Sequence, residues 1–147
     1  MALREPYWPA TTAAELQEST VGDSLRAAAT AVPDRIALVD GIADRARRRR
    51  WTYAALYAAA ERMARALLTR FTPGDHIAVW SANCPEWVVL QYGVALAGMV
   101  LVTVNPAYRR AELEYVRRQS RTRDISCRRF PWSGSQRTGR RRRTGIT

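Results

Sequence analysis

The sequence contains no lysine: all 24 of its basic residues are arginine. Chemistry that needs a lysine amine, as a Schiff base or as the cation of a phosphate loop, is therefore excluded for these 147 residues. Cysteine is scarce as well, with only Cys84 and Cys127 and no C-x-x-C spacing. Together with the single His76 they make neither a disulfide framework nor a structural zinc set. No secretory signal is visible, since the stretch from Met1 to Thr12 carries Glu5, Pro6 and Pro9 and lacks an apolar run. A reducing cytoplasm is the expected compartment. Acidic residues are few, 13 in all, and the formal net charge is +11.

That charge is uneven. Residues 1–118 hold 15 arginines against 12 acids, a net +3, whereas residues 119–147 hold 9 arginines against Asp124 alone, a net +8. A nearly balanced body thus carries a strongly basic end. With 47% hydrophobic residues the body can bury a core, and its length suits one domain.

Residues 1–21 read as a polar lead-in. A helix starts near Gly22, with Asp23 or Ser24 as cap, and ends before Pro33. Ile36 to Val39 is a short strand candidate, followed by the run Arg47-Arg48-Arg49-Arg50. Leu56, Ala60, Met63, Leu67 and Phe71 recur at helical spacing over residues 54–70, with Thr52 as N-cap. Ile77 to Trp80 reads as a strand. The segment Asn83-Cys84-Pro85-Glu86 then opens a buried helix, with Asn83 as cap and Glu86 at the positive dipole end. Gly98 ends that helix, Val100 to Val104 forms a strand, and Arg109 to Gln119 forms a last amphipathic helix. Strand, helix and strand from Ile77 to Val104 make a βαβ unit with parallel strands. The fold class is α/β. Beyond Ser120 no helical or strand period continues, and residues 121–147 read as a disordered, basic tail.

Trp51-Thr52-Tyr53, Pro73-Gly74-Asp75, Asn83-Cys84-Pro85-Glu86-Trp87, Gly98, Asn105-Pro106-Ala107-Tyr108-Arg109 and Glu112 to Val116 follow one another in an order that resembles the N-terminal part of the AMP-forming acyl-CoA synthetases. The Asn-Pro-Ala-Tyr-Arg wording is most similar to the branch acting on medium- or long-chain fatty acids. The resemblance runs from about Gly22 to Ser120. It implies an incomplete N-terminal part of the large domain of an adenylate-forming enzyme, with residues 22–120 as a partial AMP-binding synthetase domain. The family reaction it implies joins a carboxylic acid to coenzyme A through an acyl-adenylate, using ATP and Mg2+.

The family's Ser/Thr/Gly-rich phosphate loop ending in Pro-Lys-Gly has no counterpart here; Ser133-Gly134-Ser135 is too short and has the wrong sequel. No catalytic, cofactor-binding or metal-binding residue is therefore assigned. The resemblance stops at Arg121, where the family supplies another hydrophobic strand, and the arginine-rich residues after it resemble a GC-rich gene read in a shifted frame. The expectation is a truncated ligase, inactive alone and marginally stable, with an unpaired sheet edge beside Val100–Val104. Two other readings compete with it. Arg47–Arg50 with Arg140–Arg143 suit a module binding nucleic acid or acidic surfaces weakly, and the chain also suits a complementing subunit that docks on the remainder of a split synthetase.

Four features with sharper readings yield to plainer ones. The run from Trp87 to Val104 has the length of a membrane span, but Gly93, Gly98 and its β-branched second half read as helix, break and strand. His76 at a strand start lacks a partner nucleophile. Cys84 at a helix N-terminus reads as a small capping-region residue rather than a reactive thiol. Glu112 and Glu114, two apart on a helix, do not face each other.

Overall fold

A computed structural model describes residues 18–127. The expectations for the lead-in before Glu18 and for the tail after Cys127, including Arg140–Arg143, lie outside the described residues. The described part is α/β. Four α-helices run over Val21–Ala31 (α1), Tyr53–Leu68 (α2), Pro85–Leu96 (α3) and Arg110–Gln119 (α4). Five strands run over Ile36–Val39 (β1), Arg50–Thr52 (β2), His76–Trp80 (β3), Val100–Val104 (β4) and Asp124–Cys127 (β5).

Two small sheets form. β1 and β2 make an antiparallel hairpin, with Leu38 opposite Trp51 and Val39 opposite Arg50. The second sheet has the order β4-β3-β5 and is parallel throughout, with Ile77 opposite both Leu101 and Asp124. The βαβ unit read from the sequence is present, since β3 and β4 pair in parallel across α3. β4 is an edge strand, and Val100 at its start is 43% exposed. No helix among the described residues is long and apolar enough to cross a membrane. The long apolar run is divided between α3, which has 12 residues, and β4.

The cores sit on the two sides of the α2–α3 pair. One packs Met63, Ala64 and Leu67 of α2 with Leu90 and Val94 of α3 over Ile77 and Val79 of the three-stranded sheet. The other packs Leu25, Leu56 and Ala60 under Leu38 and Trp51 of the hairpin. Gly93 makes the pairing possible, because a Cβ there would lie 2.5 Å from Met63 Cγ and 2.7 Å from Met63 Cβ. The Ala60 carbonyl oxygen stands 3.3 Å from the same point, so neither neighbour can simply swing aside. At Gly98 the backbone turns out of α3 into β4 with φ at +67°, a region costly for any side chain.

Two local readings change and a third holds. Thr20, not Asp23 or Ser24, caps α1. The Thr20 hydroxyl accepts from the Asp23 amide at 3.1 Å and the Asp23 carboxylate accepts from the Thr20 amide at 3.2 Å. Asn83 does not cap α3; Cys84 is the N-cap and makes no side-chain capping bond, while Asn83 is exposed. Thr52 caps α2 as read, accepting from the Ala55 amide at 3.2 Å.

The largest change follows Ser120. Instead of ending, the chain turns back and enters β5 beside β3. The turn is a Schellman motif, in which the Thr122 amide donates to the Arg117 carbonyl at 3.1 Å and the Arg121 amide to the Arg118 carbonyl at 3.4 Å. Arg121 takes the left-handed position, φ +52°, that glycine usually fills. A glycine would have marked this turn in the sequence, and its absence hid both the turn and the strand. Arg123 secures the return, as its amide donates to the His76 carbonyl at 2.9 Å and its guanidinium meets Asp75 at 3.0 Å.

Two substitutions test this packing by urea denaturation of the purified chain. Gly93→Ala should lower stability by about 1–3 kcal/mol through overpacking against Met63. Arg121→Gly should raise it by roughly 0.5–1 kcal/mol by relieving the left-handed strain.

Candidate functional site

An open cleft of about 1150 Å³ lies between the hairpin, α2, the end of β3 and the start of α3. Its walls are largely apolar, including Leu38, Trp51, Ala59 and Trp87, and its charged residues include Arg49 and Glu86. The positions follow from local structure. β2 starts just after Arg49, so its side chain projects from the hairpin toward the first turn of α3, where Glu86 stands.

Arg49 ties the hairpin to that helix. Its Nη1 lies 2.7 Å from Glu86 Oε1 and its Nε 3.1 Å from Asp40 Oδ2. Its Cζ sits 5.1 Å from the centre of the Trp51 ring, a cation–π arrangement. The Arg49 guanidinium holds the Glu86 carboxyl below the usual carboxylate range, against the opposing effect of burial. The same contact with Glu86 leads the causes that raise Arg49 above its ordinary value.

Sequence reading did not find this three-residue knot. Arg49 stood in a run of four arginines with nothing to set it apart, and Glu86 was read only as a partner for the helix dipole. The run itself lies in the loop between β1 and β2 and at the start of β2, as a solvated connection would.

The other singled-out residues have structural surroundings. The Nδ1–H of His76 donates to the Ser120 carbonyl, pinning the start of β3 to the end of α4. Cys84 Sγ lies 4.0 Å from the Ser81 hydroxyl. Glu112 accepts the Arg109 amide at 2.9 Å in the first turn of α4, and Glu114 is exposed without joining it. Asn105 shapes the turn after β4, accepting from the Ala107 amide at 2.9 Å, while its carbonyl accepts from the Trp80 indole at 3.1 Å. Among the described residues no group of three or more His, Cys, Asp or Glu side chains could hold a metal ion.

The described parallel βαβ layer and its hairpin match part of the N-terminal subdomains of adenylate-forming enzymes. The profile of the AMP-binding enzyme family matches residues 25–137, and the chain belongs to that family. The match continues past Ser120, in step with β5. The chain is 40% identical over 108 residues to YngI of Bacillus subtilis, which carries an acyl-CoA synthetase name; the aligned part is 73% of this chain and 19% of YngI. It is 39% identical over 116 residues to the mitochondrial medium-chain acyl-CoA ligase ACSF2 of Danio rerio, covering 76% of this chain and 18% of that protein. Among solved structures, the N-terminal domain of FACL13 from Mycobacterium tuberculosis superposes with a TM-score of 0.68 at 30% identity, over 74% of this chain and 27% of that one. The N-terminal subdomain of NpsA from Klebsiella oxytoca superposes with a TM-score of 0.68 at 23% identity, which shows shared fold. The chain spans about a fifth of the length of these curated relatives.

The described residues do not fit a nucleotide triphosphate. The N-terminus of α3 starts with Pro85, which has no amide to offer, and already holds the Glu86 carboxylate, while at the first turn of α2 the Ala55 amide is taken by the Thr52 hydroxyl. An anion at the start of α3 would meet that negative charge, and no lysine is available to offset it.

The Glu86–Arg49 pair predicts a pH signature. Because the folded Glu86 carboxyl titrates below its unfolded value of about 4.3, its contribution is complete above that value and lost as pH falls through the folded one. Both partners are partly exposed, so the contribution is modest. Glu86→Gln should cost about 0.5–1 kcal/mol at neutral pH and progressively less as pH falls below the unfolded carboxylate value. Urea midpoints of the two proteins across this range check it.

Proposed function

We propose that these residues form the N-terminal layer of an ATP-dependent fatty-acid–CoA ligase and do not catalyse on their own. In this reading the complete ligase uses ATP and Mg2+ to convert a carboxylic acid to its acyl-adenylate and then transfers the acyl group to coenzyme A. The observation that carries the reading is the near-40% identity, over about three quarters of the chain, to proteins named as acyl-CoA synthetase or medium-chain acyl-CoA ligase. The inactivity of the chain alone is supported by its lack of lysine and by a helix N-terminus occupied by Glu86.

The partner in this reading is the remainder of the ligase. The open edge of β4 and the apolar cleft beside α3 support it, since each is a surface of the kind a larger domain covers. A truncated product with a frame-shifted end belongs to the same proposal and is supported by residues 128–147, which hold seven arginines and no acid. The family match, which runs to residue 137, speaks against a shift as early as Ser120. Cytoplasmic residence is part of the reading and is supported by Cys84, a free thiol.

The test is acid-dependent exchange of pyrophosphate into ATP, with octanoate and palmitate as acids. The chain alone should give no exchange above background. A chimera in which residues 22–127 replace the matching segment of YngI should exchange. Exchange by the chain alone would overturn its inactivity, and a folded but silent chimera would overturn the ligase reading.

A further inference from the structure

The hairpin of β1 and β2 has an end that the ligase reading leaves unused. Between the strands, Gly41 to Arg47 are all exposed, and a short 3-10 turn over Arg45–Arg47 is held by Asp44, whose carboxylate accepts the Ala46 amide at 3.0 Å. The five arginines of the segment divide sharply. Arg49 is tied to Asp40 and Glu86, and the Arg48 Nε donates to the Ile42 carbonyl at 2.7 Å. Arg45, Arg47 and Arg50 are exposed, and their side chains pair with no described residue. The two bonded arginines thus brace the loop while three guanidinia stand free in water. In the same hairpin Ile36, Val39 and Ile42 are 46%, 39% and 40% exposed, and Val39 lies opposite Arg50.

We propose that this hairpin is a docking surface for anionic lipid headgroups. Free guanidinia attract a surface of negative phosphates and carboxylates, and each basic residue strengthens such partitioning by roughly fivefold. Aliphatic side chains set among them can enter the boundary between headgroups and acyl chains. That second feature favours a bilayer over a nucleic acid, which offers no apolar layer and is gripped by stacking aromatics. The aromatic residue of this hairpin, Trp51, is partly buried in the core and covered by Arg49. The proposal concerns the hairpin alone and stands apart from the ligase reading.

The test uses the full chain and sedimentation with vesicles of phosphatidylcholine, with and without phosphatidylserine. The chain should partition to the serine-containing vesicles and be released by high salt. Replacing Arg45, Arg47 and Arg50 together by glutamate should cut that partitioning by about a hundredfold, although the basic residues after Cys127 are unchanged. The three side chains hold nothing in place, so the variant should melt with the wild type. If it does not, glutamine at the same positions keeps the test valid. Ile42→Ser should weaken vesicle binding severalfold while leaving binding to a single-stranded RNA oligonucleotide as it was. Unaltered vesicle binding by either the triple variant or Ile42→Ser overturns the proposal. A triple variant that loses RNA binding alone overturns it in favour of nucleic acid.

Discussion

Everything described in this fold depends on how closely α2 and α3 approach at Gly93. The two cores share no buried residue, yet both are built on this helix pair: Met63 faces one core and Ala60 the other. The three-stranded sheet is laid against one side and the hairpin against the opposite side. A single added carbon at Gly93 would push on Met63 and on the α2 backbone together, and so on both cores. Close packing of this kind has little slack, since interiors are as dense as organic crystals.

The same helix pair sets the geometry of the cleft. α3 presents Glu86 at its first turn to the hairpin, and Arg49 answers it, so the hairpin is fastened by charge at one end and by Leu38 and Trp51 along its inner face. The arrangement is a structural joint. It places a carboxylate where a phosphate-binding helix would need open amides, which is why the cleft reads as a surface to be covered rather than as a nucleotide site. The family relationship agrees with this, for the chain corresponds to about a fifth of its ligase relatives.

Most of the body was legible in the sequence because its signals are local. Apolar residues at helical spacing located α2, a β-branched run located β4, and Thr52 capped where a threonine before a helix should. The family words from Asn83 to Val116 supplied the rest of the order. The misses have physical reasons. Asn83 and Cys84 are adjacent and both lie ahead of Pro85, so spacing alone could not choose the cap. Arg121 adopts a left-handed conformation without being glycine, and β5 has four residues whose pairing depends on β3, far away in sequence. The Arg49–Glu86 knot is likewise a long-range contact between residues that each had a sufficient local explanation.

Hydrogen–deuterium exchange of the purified chain, with and without MgATP, tests most directly whether this is a packed ligase layer without a nucleotide grip. The amides of Ile77–Val79, of α2 around Ala60–Ala64 and of α3 around Gly93 should exchange slowest, with β4 faster as an edge strand, and MgATP should change none of them. Uniformly fast exchange would contradict the packed layer, and protection appearing at Cys84–Trp87 on adding MgATP would contradict the absence of a nucleotide site.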